Sequence, residues 1–184
     1  MSRKRGLTLI EVVVALALLG IIAAVGVPYL LAGLPVLRVN AAVRQVLGDL
    51  RLARTLSIER GLDVLLSFDG AGSQRYRLAI DTHPAHPAND HQITPHDEIV
   101  KTVDLADLSS GIGLSSSDPG APPGGVSFAN ETAIFTPDGK SSTGSVYLQP
   151  LVDCGVRNDR DRKVTVVGAT GRAKAYAWGG AGWE

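Results

Sequence analysis

The sequence predicts an α+β protein in which a long N-terminal helix packs on an antiparallel β-sheet or sandwich domain. The first half of that helix is predicted to span a membrane and the second half to be amphipathic. Residues 12–37 carry no charged side chain, and residues 36–60 repeat apolar side chains at helical spacing. Beyond residue 62, short β-type segments alternate with turn residues. The length of 184 residues leaves room for one domain beside this helix.

The uncharged run is long enough to cross the roughly 30 Å hydrocarbon layer of a membrane as a helix. Arg3, Lys4 and Arg5 precede it, so the positive-inside rule places the N-terminus in the cytoplasm and the bulk of the chain across the membrane. A cleavable secretory signal is the alternative, with the small residues at 23–26 as its cleavage site. Glu11, an acid inside the wider apolar stretch, argues against that alternative.

The second half of the helix is predicted from residues 36–61. Its apolar side chains recur every three or four positions, and charged residues fill most of the other faces, which is typical of a helix packed on a domain. Gly61 is a plausible C-cap. Within the first half, Pro28 removes a backbone donor and predicts a kink or local melting. The apolar series is Val39, Val43, Val46, Leu50 and Ala53.

Seven short segments read as strands. Residues 63–68 and 74–81, separated by the turn sequence DGAGS, predict a β-hairpin. The remaining five are residues 99–105, 132–135, 144–148, 163–168 and 171–178. Their number and spacing favour an antiparallel assembly against the long helix.

The segment Gly6-Leu7-Thr8-Leu9-Ile10-Glu11, after a basic leader and before an apolar helix, closely resembles the prepilin motif of type IV pilins and type II secretion pseudopilins. The resemblance implies cleavage by a membrane-embedded prepilin peptidase after Gly6 and methylation of the new N-terminus at Leu7. Most family members begin the mature chain with Phe, whereas this chain begins with Leu. Glu11 corresponds to the family's acid at the fifth mature position.

The presence of Glu11 requires a physical explanation, because a carboxylate in hydrocarbon is costly unless it is neutralised or paired. Cleavage after Gly6 exposes a cationic amine on Leu7, to which a neighbouring subunit can present its own Glu11. The acid is therefore expected to set the register of filament assembly. The alternative is a carboxylate near the headgroups that only reaches out to water.

A second resemblance covers roughly the last 50 residues. The hairpin sequence KVTVVGATGRAKAY, with Gly-Arg after its turn, follows an F-x-P-x-G segment at residues 135–139. This pattern resembles the GspH/FimT subgroup of minor pseudopilins and pilins. It implies that the chain is a minor pseudopilin H of a type II secretion system, a structural subunit of the short periplasmic filament.

The alternative function is a FimT-like minor pilin of a type IV pilus that binds DNA during natural transformation. Basic side chains near the C-terminus are able to contact phosphates, giving salt-sensitive binding without sequence preference. Interspersed aspartates favour ordinary solvated charges instead, so the structural role ranks first. The candidate DNA-binding residues are Arg160, Arg162, Lys163, Arg172 and Lys174.

No catalytic constellation, cofactor motif or metal site is predicted. All four histidines lie in residues 82–98, a loop with three prolines and little apolar content to hold ligands in fixed geometry. The single cysteine, Cys154, excludes an intrachain disulfide. We therefore expect a protein that is not an enzyme.

The predicted organisation is a leader at residues 1–6, a transmembrane helix at 7–35, an amphipathic half-helix at 36–61 and a periplasmic or extracellular β-rich domain at 62–184. The predicted location is the bacterial inner membrane, crossed once, with incorporation into a pilus-like filament. The expected partners are the prepilin peptidase, other major and minor pseudopilins or pilins and, in the alternative, DNA.

Overall fold

The computed structural model describes residues 8–69, 74–82, 91–108 and 111–184. One long helix, α1 (Leu9–Arg60), precedes eight strands and a short helix. The chain divides between Leu34 and Pro35 into two compact units. The elements after α1 are β1 (Val64–Phe68), β2 (Arg75–Ile80), β3 (Glu98–Asp104), α2 (Leu105–Leu108), β4 (Ile112–Leu114), β5 (Thr132–Phe135), β6 (Gly144–Pro150), β7 (Arg162–Val167) and β8 (Arg172–Ala177).

The first unit consists of the apolar part of α1. Its large apolar side chains are exposed throughout, from Leu9 to Leu31, and the helix is long and apolar enough to cross a membrane, by length and composition. The helix continues through Pro28 without interruption, so the local melting considered from the sequence does not occur. A single missing donor is compatible with a helix whose other backbone groups remain bonded.

The second unit contains two four-stranded antiparallel sheets. Their strand orders are β3-β2-β1-β5 and β4-β6-β7-β8. The two predicted hairpins are present: β1 pairs with β2 from Val64↔Ile80 onward, and β7 pairs with β8 from Arg162↔Ala177 onward. The α+β fold class predicted from the sequence is therefore confirmed. β4, only three residues long, was not predicted.

One hydrophobic core joins the second half of α1 to both sheets. It includes the predicted apolar face of α1 together with alternate residues of the strands, because side chains on a strand point to opposite faces in turn. Val64, Leu66 and Phe68 of β1 are buried, and Val164 and Val166 of β7 are buried in the same cluster. All members of the cluster lie between residues 39 and 173, so the second unit contains its whole core.

A buried polar network also fixes α1 to the first sheet. The Asp49 side chain accepts hydrogen bonds from the Tyr76 hydroxyl at 2.6 Å and from Gln45 Nε2 at 2.9 Å. Lys101 Nζ lies 2.8 Å from Asp49 Oδ1. Burial of the ring, and then the neighbouring Asp49 carboxylate, raise the pKa of Tyr76 well above its usual range. The phenol therefore stays protonated and donates to Asp49.

Candidate assembly and anion-binding sites

The candidate assembly residue Glu11 lies in the first turn of α1. Its backbone N–H donates to the carbonyl of Thr8 at 3.1 Å, and the apolar side chains around it are exposed. An acid is favourable in the first turn of a helix, where the dipole is positive. The predicted cleavage and methylation residues, Gly6 and Leu7, lie outside the residues that the structure describes.

Two of the five candidate DNA-binding residues have partners inside the fold. The Arg160 guanidinium lies 3.5 Å from Asp153 Oδ2 and is largely buried. Arg162 donates from Nε to Asn40 Oδ1 at 3.1 Å and from its NH1 group to the Asp161 carbonyl at 2.9 Å. Because Asn40 belongs to α1, Arg162 connects β7 to the helix.

A third candidate, Lys163, lies against aromatic rings. Its ammonium nitrogen is 4.5 Å from the ring centre of Trp183, 5.6 Å from that of Tyr176 and 5.8 Å from that of Tyr147. These are distances at which a cation is attracted to the face of a ring. Burial lowers the pKa of Lys163, and the negative charge of Asp118 opposes that shift. The structure therefore gives this side chain a packing role.

The other two candidates, Arg172 and Lys174, are exposed on β8. They line a groove of about 520 Å³ together with Arg51 and Arg54 of α1. We call this the α1–β8 groove. The two arginines of α1 did not stand out in the sequence, where they fall on the polar face of the half-helix. No sequence pattern connects them to positions about 120 residues later; only the fold brings the four cations together.

Two turns meet beside this groove, and both carry the sequence features that resemble the GspH/FimT subgroup. Arg54 Nε donates to the carbonyl of Gly139 at 3.1 Å, which fixes the F-x-P-x-G turn to α1. Gly171, which precedes β8, has a φ of 59°. A Cβ atom at Gly171 would lie 2.5 Å from the Gly139 carbonyl oxygen and 2.9 Å from Arg54 Nε, so only glycine fits there.

A polar cluster surrounds the buried carboxylate of Asp161. Asp161 Oδ2 accepts from the Ser116 hydroxyl at 2.7 Å and from the Ser117 N–H at 2.9 Å. Asp161 Oδ1 is buried without a hydrogen-bond partner in the described part of the chain. Burial is the main cause that raises the pKa of Asp161, and the hydrogen bonds from the serines oppose it. A buried carboxylate with one unpaired oxygen costs stability when it is charged.

The histidine-rich loop is described only in part, and His83 and His86 lie outside the described residues. His91 Nε2 is 4.0 Å from Asp63 Oδ2. Burial raises the pKa of Asp63, while His91 opposes that shift. Within the described ranges, no three His, Cys, Asp or Glu side chains are grouped closely enough to hold a metal ion.

Comparison with known proteins identifies the class to which this fold belongs. The model of the prokaryotic N-terminal methylation motif matches residues 1–27, which places the chain among pilin-like proteins. The model of the type II transport protein GspH matches residues 42–171, more than half of the sequence. The chain belongs to the GspH family.

A solved structure supports the fold. The minor pseudopilin EpsH from the type 2 secretion system of Vibrio cholerae superposes with a TM-score of 0.52 at 15% identity, over 77% of this chain and 98% of that chain. A second structure of EpsH gives a TM-score of 0.49 at 15% identity, over 77% and 95%. No curated protein sequence matches the chain significantly. The family is one of structural pseudopilins, with an apolar membrane-anchoring helix.

The N-terminal motif implies processing by a prepilin peptidase, as the sequence predicted. Membership of a pseudopilin family implies other pilin-like subunits as partners.

Proposed function

We propose that this chain is a minor pseudopilin of a type II secretion system, a structural subunit of the short periplasmic filament that drives protein export. The observation that carries the proposal is the GspH family match over residues 42–171, preceded by the methylation motif over residues 1–27. The prepilin peptidase removes residues 1–6 and methylates Leu7. Residues 7–35 cross the inner membrane from a cytoplasmic N-terminus, residues 36–61 form the amphipathic half-helix, and residues 62–184 form the periplasmic domain.

Assembly requires the subunit to leave the bilayer and to pack its apolar helix against neighbouring helices. The exposed apolar surface between Leu9 and Leu31 supplies the adhesion, but such a surface sets axial register poorly. Glu11 and the amine of Leu7 on a neighbouring subunit are each costly alone in an apolar environment. The one stagger that pairs them is therefore favoured, so Glu11 selects the register of the filament.

The proposal is tested in the native host by deleting the gene and restoring it on a plasmid. We expect the deletion to stop export of secreted proteins and the wild-type copy to restore export. Crosslinking in membranes should join the chain to other pseudopilins. Normal export in the deletion strain, together with lost DNA uptake, would instead support the FimT-like alternative.

The DNA-binding alternative depends mainly on Arg172 and Lys174, because Arg160, Arg162 and Lys163 contact groups of their own chain. A soluble fragment beginning at Val36 should, under this alternative, retard duplex DNA at low salt and release it as salt rises. Arg172→Gln combined with Lys174→Gln should weaken the retention. No retention at low ionic strength would exclude the alternative.

A further inference from the structure

The α1–β8 groove gathers positive charge that the fold does not neutralise. Arg51 and Lys174 are exposed, and none of the described residues that line the groove is acidic. Arg54 is held in place by the Gly139 carbonyl, which is a neutral acceptor. Four like charges in one cleft repel each other and create a local positive potential. Such a cleft favours an anionic occupant.

The strand that lines the groove is also the edge of its sheet. β8 is the last strand in the order β4-β6-β7-β8, so one side of its backbone is free to pair. At one end of that side the chain pairs with its own C-terminal residue: Ala177 N–H donates to the Glu184 carbonyl at 2.8 Å, and Glu184 N–H donates to the Ala177 carbonyl at 2.9 Å. The free side of β8 therefore already accepts a strand-like partner at this end.

The direction of these bonds shows which other backbone groups face outward. In an antiparallel ladder, alternate residues direct both N–H and C=O to the same side. Since Ala177 bonds away from β7, Ala175 and Ala173 also direct their backbone groups away from β7. Neither has a backbone partner on that side among the residues that the structure describes. Ala173 lines the groove itself, so unpaired strand hydrogen-bonding groups lie beside the four cations.

The spacing of the side chains also matches an extended chain. Arg172 and Lys174 are two residues apart on β8, so they lie on one face of the sheet. An added strand whose acidic residues alternate with neutral ones would place all its carboxylates on that same face. Hydrogen bonds from the backbone then give affinity, as in other cases of strand addition, and the complementary charges favour an acidic partner.

Nucleic acid fits the groove less well. Single strands bind proteins largely by stacking bases on aromatic rings, and no described residue lining this groove is aromatic. A phosphate backbone also has no N–H donors to pair with the outward carbonyls of β8. A peptide matches both the donors and the acceptors of that edge.

We infer that the α1–β8 groove binds an extended acidic segment of another protein, which adds as a strand to the free edge of β8 with its carboxylates on Arg51, Arg172 and Lys174. That the partner is a subunit of the same secretion machinery rests on the proposed function. The binding of an acidic peptide does not rest on the proposed function, so the experiments on peptide binding are independent of those on secretion.

The test uses the full chain in a non-ionic detergent and a fluorescent octapeptide of alternating Thr and Glu. Fluorescence anisotropy should show saturable binding that weakens as salt rises. Arg51→Glu combined with Lys174→Glu should weaken binding about tenfold or more. The matched control is Arg60→Glu, which also replaces an arginine of α1 by glutamate. Arg60 lies about two and a half turns after Arg51 and therefore on the opposite face of the helix. This variant should bind the peptide as the wild type does.

Two further peptides separate charge from strand pairing. An octapeptide of alternating Thr and Lys should bind the doubly reversed variant better than the wild type, which also shows that this variant is folded. The Thr-Glu peptide with every backbone amide N-methylated keeps its charge and loses its donors, so it should bind about tenfold more weakly.

Three results would overturn the inference. Equal binding of the Thr-Glu peptide to the wild type and to the doubly reversed variant would show that the peptide does not bind in the groove. Equal binding of the N-methylated peptide would exclude strand addition. Tighter binding of a thymidine oligonucleotide or a short duplex, lost in the same variant, would assign the groove to nucleic acid. None of these results depends on whether the deletion strain secretes protein.

Discussion

Removal of the Asp49 carboxylate should destabilise the second unit more than any exposed substitution in α1. Asp49 is only 4% exposed, and it is the acceptor for Tyr76, Gln45 and Lys101 together. Asp49→Ala therefore leaves three donors without their common partner. The network joins α1 to β2 and β3, so its loss weakens the attachment of the helix to the first sheet.

The expected cost differs between two of these donors, Tyr76 and Lys101. The Tyr76 hydroxyl is fully buried, and an orphaned buried donor costs about 1–3 kcal/mol. The Lys101 side chain is 38% exposed, so water replaces Asp49 and the lost ion pair counts for about 1 kcal/mol or less. We expect Asp49→Ala to lower the free energy of unfolding by about 2–4 kcal/mol. Tyr76→Phe removes the donor instead of orphaning it, and should cost about 1–2 kcal/mol.

The assay is urea unfolding of a fragment that begins at Val36, followed by circular dichroism. Glu59→Ala, an exposed change in the same helix, serves as the matched control and should lie within about 0.5 kcal/mol of the wild type. The double variant Asp49→Ala with Tyr76→Phe should cost less than the sum of the single variants, because the two side chains share one hydrogen bond. A loss below about 0.5 kcal/mol for Asp49→Ala would show that the buried network does not stabilise the contact between α1 and the first sheet.

Three further predictions concern the assembly helix, the turn beside the groove and the buried acid. Glu11→Ala and Glu11→Gln should leave leader cleavage and membrane insertion intact while crosslinking to partner subunits and export fall; normal assembly of both variants would mean that the acid only reaches water. Gly171→Ala should cost about 2–4 kcal/mol in urea unfolding, from its left-handed φ and the contact with the Gly139 carbonyl. Gly155→Ala has a similar φ and open space around it, so it should cost only about 1–2 kcal/mol; equal losses would show that the contact is unimportant. The folded-state pKa of Asp161 is raised. Its carboxyl group therefore contributes fully to stability only at a pH below its pKa in the unfolded state, and that contribution is lost as the pH rises through the folded-state pKa. Asp161→Asn should therefore favour the folded state more at pH 7 than at pH 3, and the same difference in the free energy of unfolding between variant and wild type at both pH values would show that the pKa is not raised.

The sequence was sufficient for most of the fold because its strands have clear alternation and clear turns. Residues 63–68 and 163–168 were recognised in this way, and the structure places β1 and β7 there. β4 was missed since Ile112–Leu114 has only three residues and contains a glycine, which leaves no alternation to detect. Its place beside β6 is set by pairing across the chain, from Ile112↔Pro150 to Leu114↔Leu148.

The basic surface was harder to predict than the fold. In the sequence, Arg160, Arg162 and Lys163 form one basic cluster with Arg172 and Lys174 near the C-terminus. The fold separates them, since Arg162 bonds to Asn40 of α1 and Lys163 packs on rings. It also adds Arg51 and Arg54, whose nearness to β8 depends on tertiary packing. Periodicity identified the buried face of α1 but carried no information on what faces its polar side.

The mass of the N-terminus shows directly whether this chain is a processed pseudopilin. Protein purified from membranes of the native host is digested and analysed by mass spectrometry. We expect loss of the six residues MSRKRG and a methylated Leu7 as the first residue. Gly6→Ala should be cleaved poorly, because the peptidase of this family requires a small, flexible residue there. An intact N-terminus, or a chain cleaved near Ala24, would show that the chain is not processed as a pseudopilin.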